Sequence, residues 1–315
     1  MLVQKLTGIL CLLGYTSGVH AWGANGHQAV GYVAMQFLST KSLAFVKSSL
    51  GATYAQSLGP AATWADEVKS TSAYAWSSDL HFVDAEDNPP TSCSVSETRD
   101  CANGKCILTA IANYTTRVID TSLSAAQRQE ALKFLDHVFS FLLFIGDIGQ
   151  PLHVEARAVG GNDISVKCSG STTNLHSVWD SGMINKLLAE SYGGSVTTWA
   201  DNLATRIKSG AYAASAGSWI TCSSTTSPAR RNIGDDITGL LWSRAITPLH
   251  CPLVWAQDSN TYDCSFVFSF TTGSDLCTSN YYTNAVPIIE SQIAKQGYRL
   301  AAWLNVLFDG ATNLP

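Results

Sequence analysis

The first 21 residues set the chemical conditions under which the rest of the chain folds, and so constrain it more than any internal motif. Lys5 precedes an apolar run from Leu6 to Tyr15, and Val19-His20-Ala21 supplies a small-residue exit. This pattern reads as a secretory signal peptide over 1–21, cut before Trp22, which leaves one domain over 22–315. The run falls well short of the roughly 20 residues that span a bilayer, and the next most apolar stretch, Val138 to Ile145, is shorter still. A secreted, extracellular protein with no membrane association is therefore expected. Such a chain folds where thiols oxidise. Its nine cysteines become eight once Cys11 leaves with the leader, an even number that suits disulfides. Cys101 and Cys106 are close enough to close a small loop around Asn103-Gly104, whereas spacing does not fix the partners of Cys93, Cys168, Cys222, Cys251, Cys264 and Cys277. Asn113-Tyr114-Thr115 is the one N-glycosylation sequon.

With 46% apolar and 14% charged residues the chain can build a substantial core. It shows no repeat, low-complexity tract or charge block, so a single disulfide-linked domain is the simplest organisation. Helical periodicity recurs. Val30, Val33, Ala34 and Phe37 form one stripe, and Ile289, Ile293, Leu300 and Leu304 another. Further helices are expected from Ala125 to about Asp147 and from Ser177 to Glu190. Strand-like alternation is weak and local, for example around Asp163 to Lys167, which makes the fold class mainly α. Asp84 to Lys105 and Ser209 to Arg231 read as loop-rich. The net charge of −5 argues against a broad Lys/Arg surface for phosphates. A polyanionic substrate would need positive charge from another source, and bound metal ions supply it.

After the leader, the histidines are His27, His81, His137, His153, His176 and His250. His176 and Asp180 are four apart, a spacing that puts both side chains on one helix face where they can chelate one ion. Asp147 ends a helix, and His153 follows just past Pro151. Asp66 lies in Trp64-Ala65-Asp66-Glu67, and His81 lies in Leu80-His81-Phe82-Val83-Asp84. A single His/Asp pair is more often a surface or capping contact, and aromatic segments are more often core. Taken together, imidazole and carboxylate without neighbouring Cys favour a hydrolytic rather than a structural zinc site.

Several motifs occur in the order found in one family. They are Trp22-Gly23-Ala24-Asn25-Gly26-His27, Trp64 to Glu67, Leu80 through Pro90, Phe144-Ile145-Gly146-Asp147-Ile148-Gly149-Gln150-Pro151-Leu152-His153, Val159-Gly160-Gly161-Asn162, Asn174 to Asp180, and Gln292 to Ala301. The chain resembles the zinc-dependent single-strand nucleases of fungi and plants, the S-one/P-one type. The resemblance implies the helical fold shared by these nucleases and zinc-dependent phospholipase C. It implies three zinc ions: one on Asp66, His81, His137 and Asp147, a second on His153, His176 and Asp180, and a third on the amine and carbonyl of Trp22 with His27 and Asp147. An amine chelates with its own carbonyl only when it is free, so leader removal would be part of building the site. A water bridging two ions would attack phosphorus while the remaining ion steadies the departing 3′ oxygen. Asp66 and Asp147 are thereby catalytic ligands, and Lys69 would stabilise charge on the phosphate. Phe82 and Val159 would stack a splayed base, with Asp84 accepting from its edge, and Asn174 is a further substrate-binding residue. Ser171 and Gly182 stand where some members carry tyrosines of a second base site, so weaker outer binding is expected. Cys93–Cys264 and Cys101–Cys106 are the disulfides that the resemblance implies.

The implied activity is endonucleolytic hydrolysis of RNA and single-stranded DNA to 5′-phosphorylated products, with 3′-nucleotides as further substrates and no obligate protein partner. A secreted zinc phospholipase C is the alternative enzyme class, and activity on lipid against oligonucleotide separates the two. The sequence departs from the family at one place. Members carry a His four residues before the Asp of Gly-Asp, but here Leu143 stands there and Val138 to Leu143 separate His137 from the motif. On a continuous helix six residues shift His137 by about 9 Å and roughly 240°. Three readings are open: sequence retained at a splice junction, a bulge that restores His137, or a disabling insertion that leaves a catalytically impaired zinc-binding homologue.

Overall fold

The computed structural model describes residues 22–63, 71–132, 141–229 and 247–314, and for 129, 130 and 141–143 the backbone course alone. Helices dominate it. The two apolar stripes of the sequence become helices α1 (Ala24–Met35) and, at the far end of the chain, the 30-residue Asn280–Asp309. Between them lie α2 (Thr40–Leu50), α3 (Leu58–Ala61), α4 (Ile107–Ile119), α5 (Ala125–Leu132), α6 (Phe141–Asp147), α7 (Met183–Ser191), α8 (Val196–Ser209), α9 (Ala213–Trp219) and α10 (His250–Tyr262), which makes the terminal helix α11. Strands β1 (Ser165–Cys168) and β2 (Ser171–Asn174) form one antiparallel hairpin, with Ser165 opposite Asn174 and Cys168 opposite Ser171.

Helix α1 is central to the packing and lies against α11, α3 and α8. Its stripe of Val30, Val33 and Ala34 is fully buried, and so are Ile289, Ile293, Leu300 and Leu304 of α11. The two helices meet at a glycine. A Cβ on Gly297 would stand 2.5 Å from Val33 Cγ1 and 3.0 Å from the Val30 carbonyl oxygen. Only a residue without a side chain lets the backbones approach this closely. α11 ends at Gly310, whose φ of +79° suits glycine, and its N–H donates to Val306 O. Behind this crossing, Trp255 and Trp303 meet edge to face at 5.2 Å, and Trp303 Nε1 donates to Thr115 Oγ1 on α4.

Among the described residues there are four disulfides, three of which join segments well apart in the sequence. Cys93–Cys264 ties the Asp84–Lys105 loop to the end of α10, and Cys101–Cys106 closes the small turn before α4. Cys168–Cys277 holds the hairpin to the segment before α11, and Cys222–Cys251 joins the loop after α9 to the first turn of α10. Asp275 adds to the hairpin clasp, because its carboxylate accepts from the Ser169 and Gly170 amides at 3.0 and 2.6 Å.

Two segments carry detail that the sequence pattern does not. Within the loop-rich stretch from Ser209, Tyr212 and Trp219 pack their rings 5.5 Å apart and anchor α9. The helix expected from Ser177 to Glu190 is present, with a π-turn over Val178–Gly182 between the α-helical Leu175–Ser177 and Met183–Ser191. Of the helix expected over Ala125 to Asp147, α5 and α6 are described, and 133–140 lie outside the described residues.

Gly297→Ala should lower unfolding stability by about 1–3 kcal/mol, because the added methyl meets backbone and a β-branched side chain across a close crossing. Urea denaturation of the purified protein measures it.

Candidate metal centre

Five short segments bring imidazoles and carboxylates together in the interior. His27 comes from the first turn of α1. His81 caps the 3₁₀ turn Ala75–Leu80, and Asp147 is the last residue of α6. His153 sits in the 3₁₀ turn Pro151–Val154, which starts where Pro151 prevents α6 from continuing. His176 and Asp180 follow β2 directly. All six residues are buried.

Two groupings are visible. Around Asp147, His27 Nε2 is 3.4 Å from Oδ1, His81 Nδ1 is 3.2 Å from Oδ2, and His153 Nδ1 is 3.7 Å from Oδ1. Around Asp180, His176 Nε2 is 3.1 Å from Oδ2 and His153 Nε2 is 3.7 Å from Oδ1. His153, His176 and Asp180 can each offer one ligand atom with all of them within 4.8 Å of one another. The backbone decides which nitrogens these are. His153 Nδ1 lies 3.0 Å from the His81 carbonyl oxygen, and His176 Nδ1 lies 2.7 Å from that of Gly160. A carbonyl only accepts, so each neutral ring carries its proton on Nδ1 and turns a lone pair outward at Nε2. Those two Nε2 atoms face each other at 3.1 Å beside a carboxylate. Three electron-pair donors converging on one point is the arrangement a cation satisfies, with each imidazole oriented by a second partner. Burial, and then the neighbouring His176, hold the His153 pKa well below its usual value, so the ring stays in its neutral, ligating form.

Residue 22 is tied to both groupings. Trp22 is fully buried, its Nε1 donates to Gly146 O at 2.9 Å, and the Gly23 amide donates to the Asp180 carbonyl at 2.7 Å. His27 is therefore held between the segments that carry Asp147 and Asp180.

Asp66, Lys69 and His137 lie outside the described residues, as do Val138, Phe139 and Ser140 of the insertion. Phe82 is half-buried and Asp84 exposed, and the Asp84 carboxyl is raised above the usual range by partial desolvation and by Glu86, Asp100 and Asp79. Asn174 caps the turn that carries His176, its Oδ1 accepting from the Ser177 amide at 2.7 Å. Val159 is 62% exposed. It sits in a run of four left-handed residues, Ala158 to Gly161, with φ of 51°, 56°, 56° and 77°. Gly160 is irreplaceable on steric grounds, since a Cβ there would lie 2.5 Å from Leu152 O and 3.4 Å from His176 Nδ1. Asn113 is half-buried on α4, and Thr115 of its sequon is buried.

The sequence reading missed a second cluster of acids beside this site. The buried Glu155 and Asp263 lie near the half-buried Asp87, and a cleft of about 370 Å³ opens against Asp87 and Glu155. Burial pushes the Glu155 carboxyl up to about 7, and its hydrogen bond and repulsion with Asp87 act in the same direction. Asp263 is also held well above the usual range by burial and by its two neighbours. Three acids spread over 176 residues carry no local signal.

Buried imidazoles and carboxylates that converge in a mainly helical, disulfide-linked domain are the ligand mixture that metal-dependent hydrolases use. The sequence profile described as S1/P1 nuclease matches residues 22–309. Nuclease PA3 from a Penicillium species and Nuclease P1 from Penicillium citrinum are each 43% identical over 289 residues, covering 90% of this chain and 97% of theirs. Nuclease S1 from Aspergillus oryzae is 39% identical over 293 residues, covering 91% and 92%. The chain belongs to the S1/P1 nuclease family, a zinc-dependent family, and is a hydrolase of phosphodiester bonds.

Two outcomes are expected. Gly160→Ala should weaken metal binding as well as stability, by displacing the carbonyl that orients His176, and metal titration with thermal unfolding reads both. Glu155 has a folded pKa above its ordinary 4.5, so its contribution to stability is complete below about 4.5 and lost as pH rises through about 7. Glu155→Gln should flatten that decline, whose slope is at most about 1.4 kcal/mol per pH unit. Denaturant titrations between pH 4.5 and 7 measure it.

Proposed function

We propose that the chain is a secreted endonuclease, released by removal of residues 1–21, that hydrolyses RNA and single-stranded DNA to 5′-phosphorylated products, with 3′-nucleotides as further substrates. The observation that carries this reading is the convergence of the His153 and His176 Nε2 lone pairs beside the Asp180 carboxylate.

The residues present fit zinc. His153, His176 and Asp180 form one ligand set. His81 and Asp147 belong to a second with Asp66 and His137, and Trp22, His27 and Asp147 to a third through the free amine at residue 22. Zinc bound at these positions supplies Lewis acidity toward the phosphodiester and lowers the pKa of water at the site. The chain's own part is orientation and exclusion of solvent. Asp147 and Asp180 have essentially no exposure, so charge developing on the phosphate meets a low dielectric. The His81 and Gly160 carbonyls keep protons on Nδ1 of His153 and His176. Phe82 and the exposed Val159 offer apolar surface to an unpaired base and Asp84 an acceptor for its edge, a mode that a paired base cannot use. Lys69 supplies a cation for the scissile phosphate.

The test is zinc content of the secreted protein, whose N-terminal residue is sequenced, together with cleavage of a single-stranded oligonucleotide and its duplex. Three ions per chain, a Trp22 start and chelator-sensitive cleavage of the single strand alone are expected. His176→Ala should reduce cleavage on the order of a thousandfold, as loss of several kcal/mol of transition-state stabilisation requires. Two ions or fewer with no cleavage would mean that Val138 to Leu143 break the centre built on His137.

A further inference from the structure

Gln150 stands behind the His153–His176–Asp180 grouping and touches two of its three members. It is fully buried. Its Oε1 accepts from the Leu152 amide at 2.7 Å, which fixes the orientation of the side-chain amide and leaves Nε2 as a pure donor. Nε2 donates to Asp180 Oδ1 at 2.8 Å. The backbone carbonyl of Gln150 accepts from the His153 amide at 3.0 Å, and its side chain caps the 3₁₀ turn in which His153 lies.

We propose that Gln150 is the positioning residue of this centre, holding Asp180 Oδ1 through its amide nitrogen so that Oδ2 stays turned toward His176. A carboxylate rotates readily about its last torsion, which is broad. Without an anchor, Asp180 could swing Oδ1 toward His153 Nε2, 3.7 Å away, and lose the 3.1 Å relation of Oδ2 to His176. Glutamine is the side chain that meets both demands at this point. Glutamate would still accept from Leu152 but would set a second negative charge against Asp180. Leucine would fill the space and donate nothing. Outer partners of metal ligands are worth about 10–100-fold in metal affinity.

Gln292 provides the comparison. It is equally buried, and its Nε2 donates to Gly149 O and Ser259 Oγ at 2.9 Å each, yet it contacts none of the grouped residues. A merely structural role for Gln150 would make the two glutamines behave alike.

The proposal rests on zinc occupying the centre, so the experiment measures zinc affinity of the full secreted chain by competition with a chelating dye, with urea denaturation alongside. Gln150→Glu, isosteric and still able to accept from Leu152, and Gln150→Leu should each bind the affected zinc about 10–100-fold more weakly than wild type. Gln292→Leu should unfold at lower urea yet keep wild-type zinc affinity. Gln150 variants that bind zinc as tightly as wild type would overturn the proposal, as would a Gln292→Leu affinity loss of the same size. A wild-type chain that takes up no zinc would instead refute the metal reading itself, and the positioning role with it.

Discussion

A carboxylate withdrawn from water sets the terms for this fold. Asp147 has no exposure, and imidazoles from three other segments stand 3.2–3.7 Å from its oxygens. An isolated buried carboxylate is too costly to tolerate, so its partners must be held in place by the scaffold. Much of the architecture serves that requirement. The glycine crossing of α1 and α11 seats His27 from one side. The stop that Pro151 imposes after α6 brings His153 round from another, and the hairpin, clasped by Cys168–Cys277 and Asp275, ends at His176.

The ionisable groups of the interior fall into two classes that burial treats alike. It lowers the pKa of an imidazole and raises that of a carboxyl, so both move toward the neutral form. At His153 the neutral form is the ligating one, which makes burial and metal binding cooperative. At Glu155 and Asp263 the neutral form is a protonated acid, which can donate a hydrogen bond where a carboxylate could not. Clusters of opposite chemistry thus lie side by side, with Glu155 two residues after His153.

The parts of the structure readable from sequence were those encoded locally. The 3.6-residue stripes of α1 and α11 survive as buried faces, and the four-residue spacing of His176 and Asp180 survives as a 3.1 Å approach, even though the intervening backbone is a π-turn. The proline after Asp147 marked the end of α6. Backbone acceptors were illegible, because the carbonyls of His81 and Gly160 belong to every residue type and carry no compositional mark. The pairings Cys168–Cys277 and Cys222–Cys251 were illegible too, since spacing says nothing about which segments tertiary packing brings together. Helix α9 was hidden by its small residues, as its anchors Tyr212 and Trp219 sit at its ends.

The left-handed run from Ala158 to Gly161 has a consequence for anyone engineering this chain. Of its four residues, two are glycines and two carry side chains in a conformation that L-residues resist, the β-branched Val159 most of all. Placing glycine at 158 or 159 would remove that resistance, so thermostability screens should be drawn to these positions. What they would gain in folding they would erase from the surface, since Val159 is among the few large apolar side chains open to solvent among the described residues.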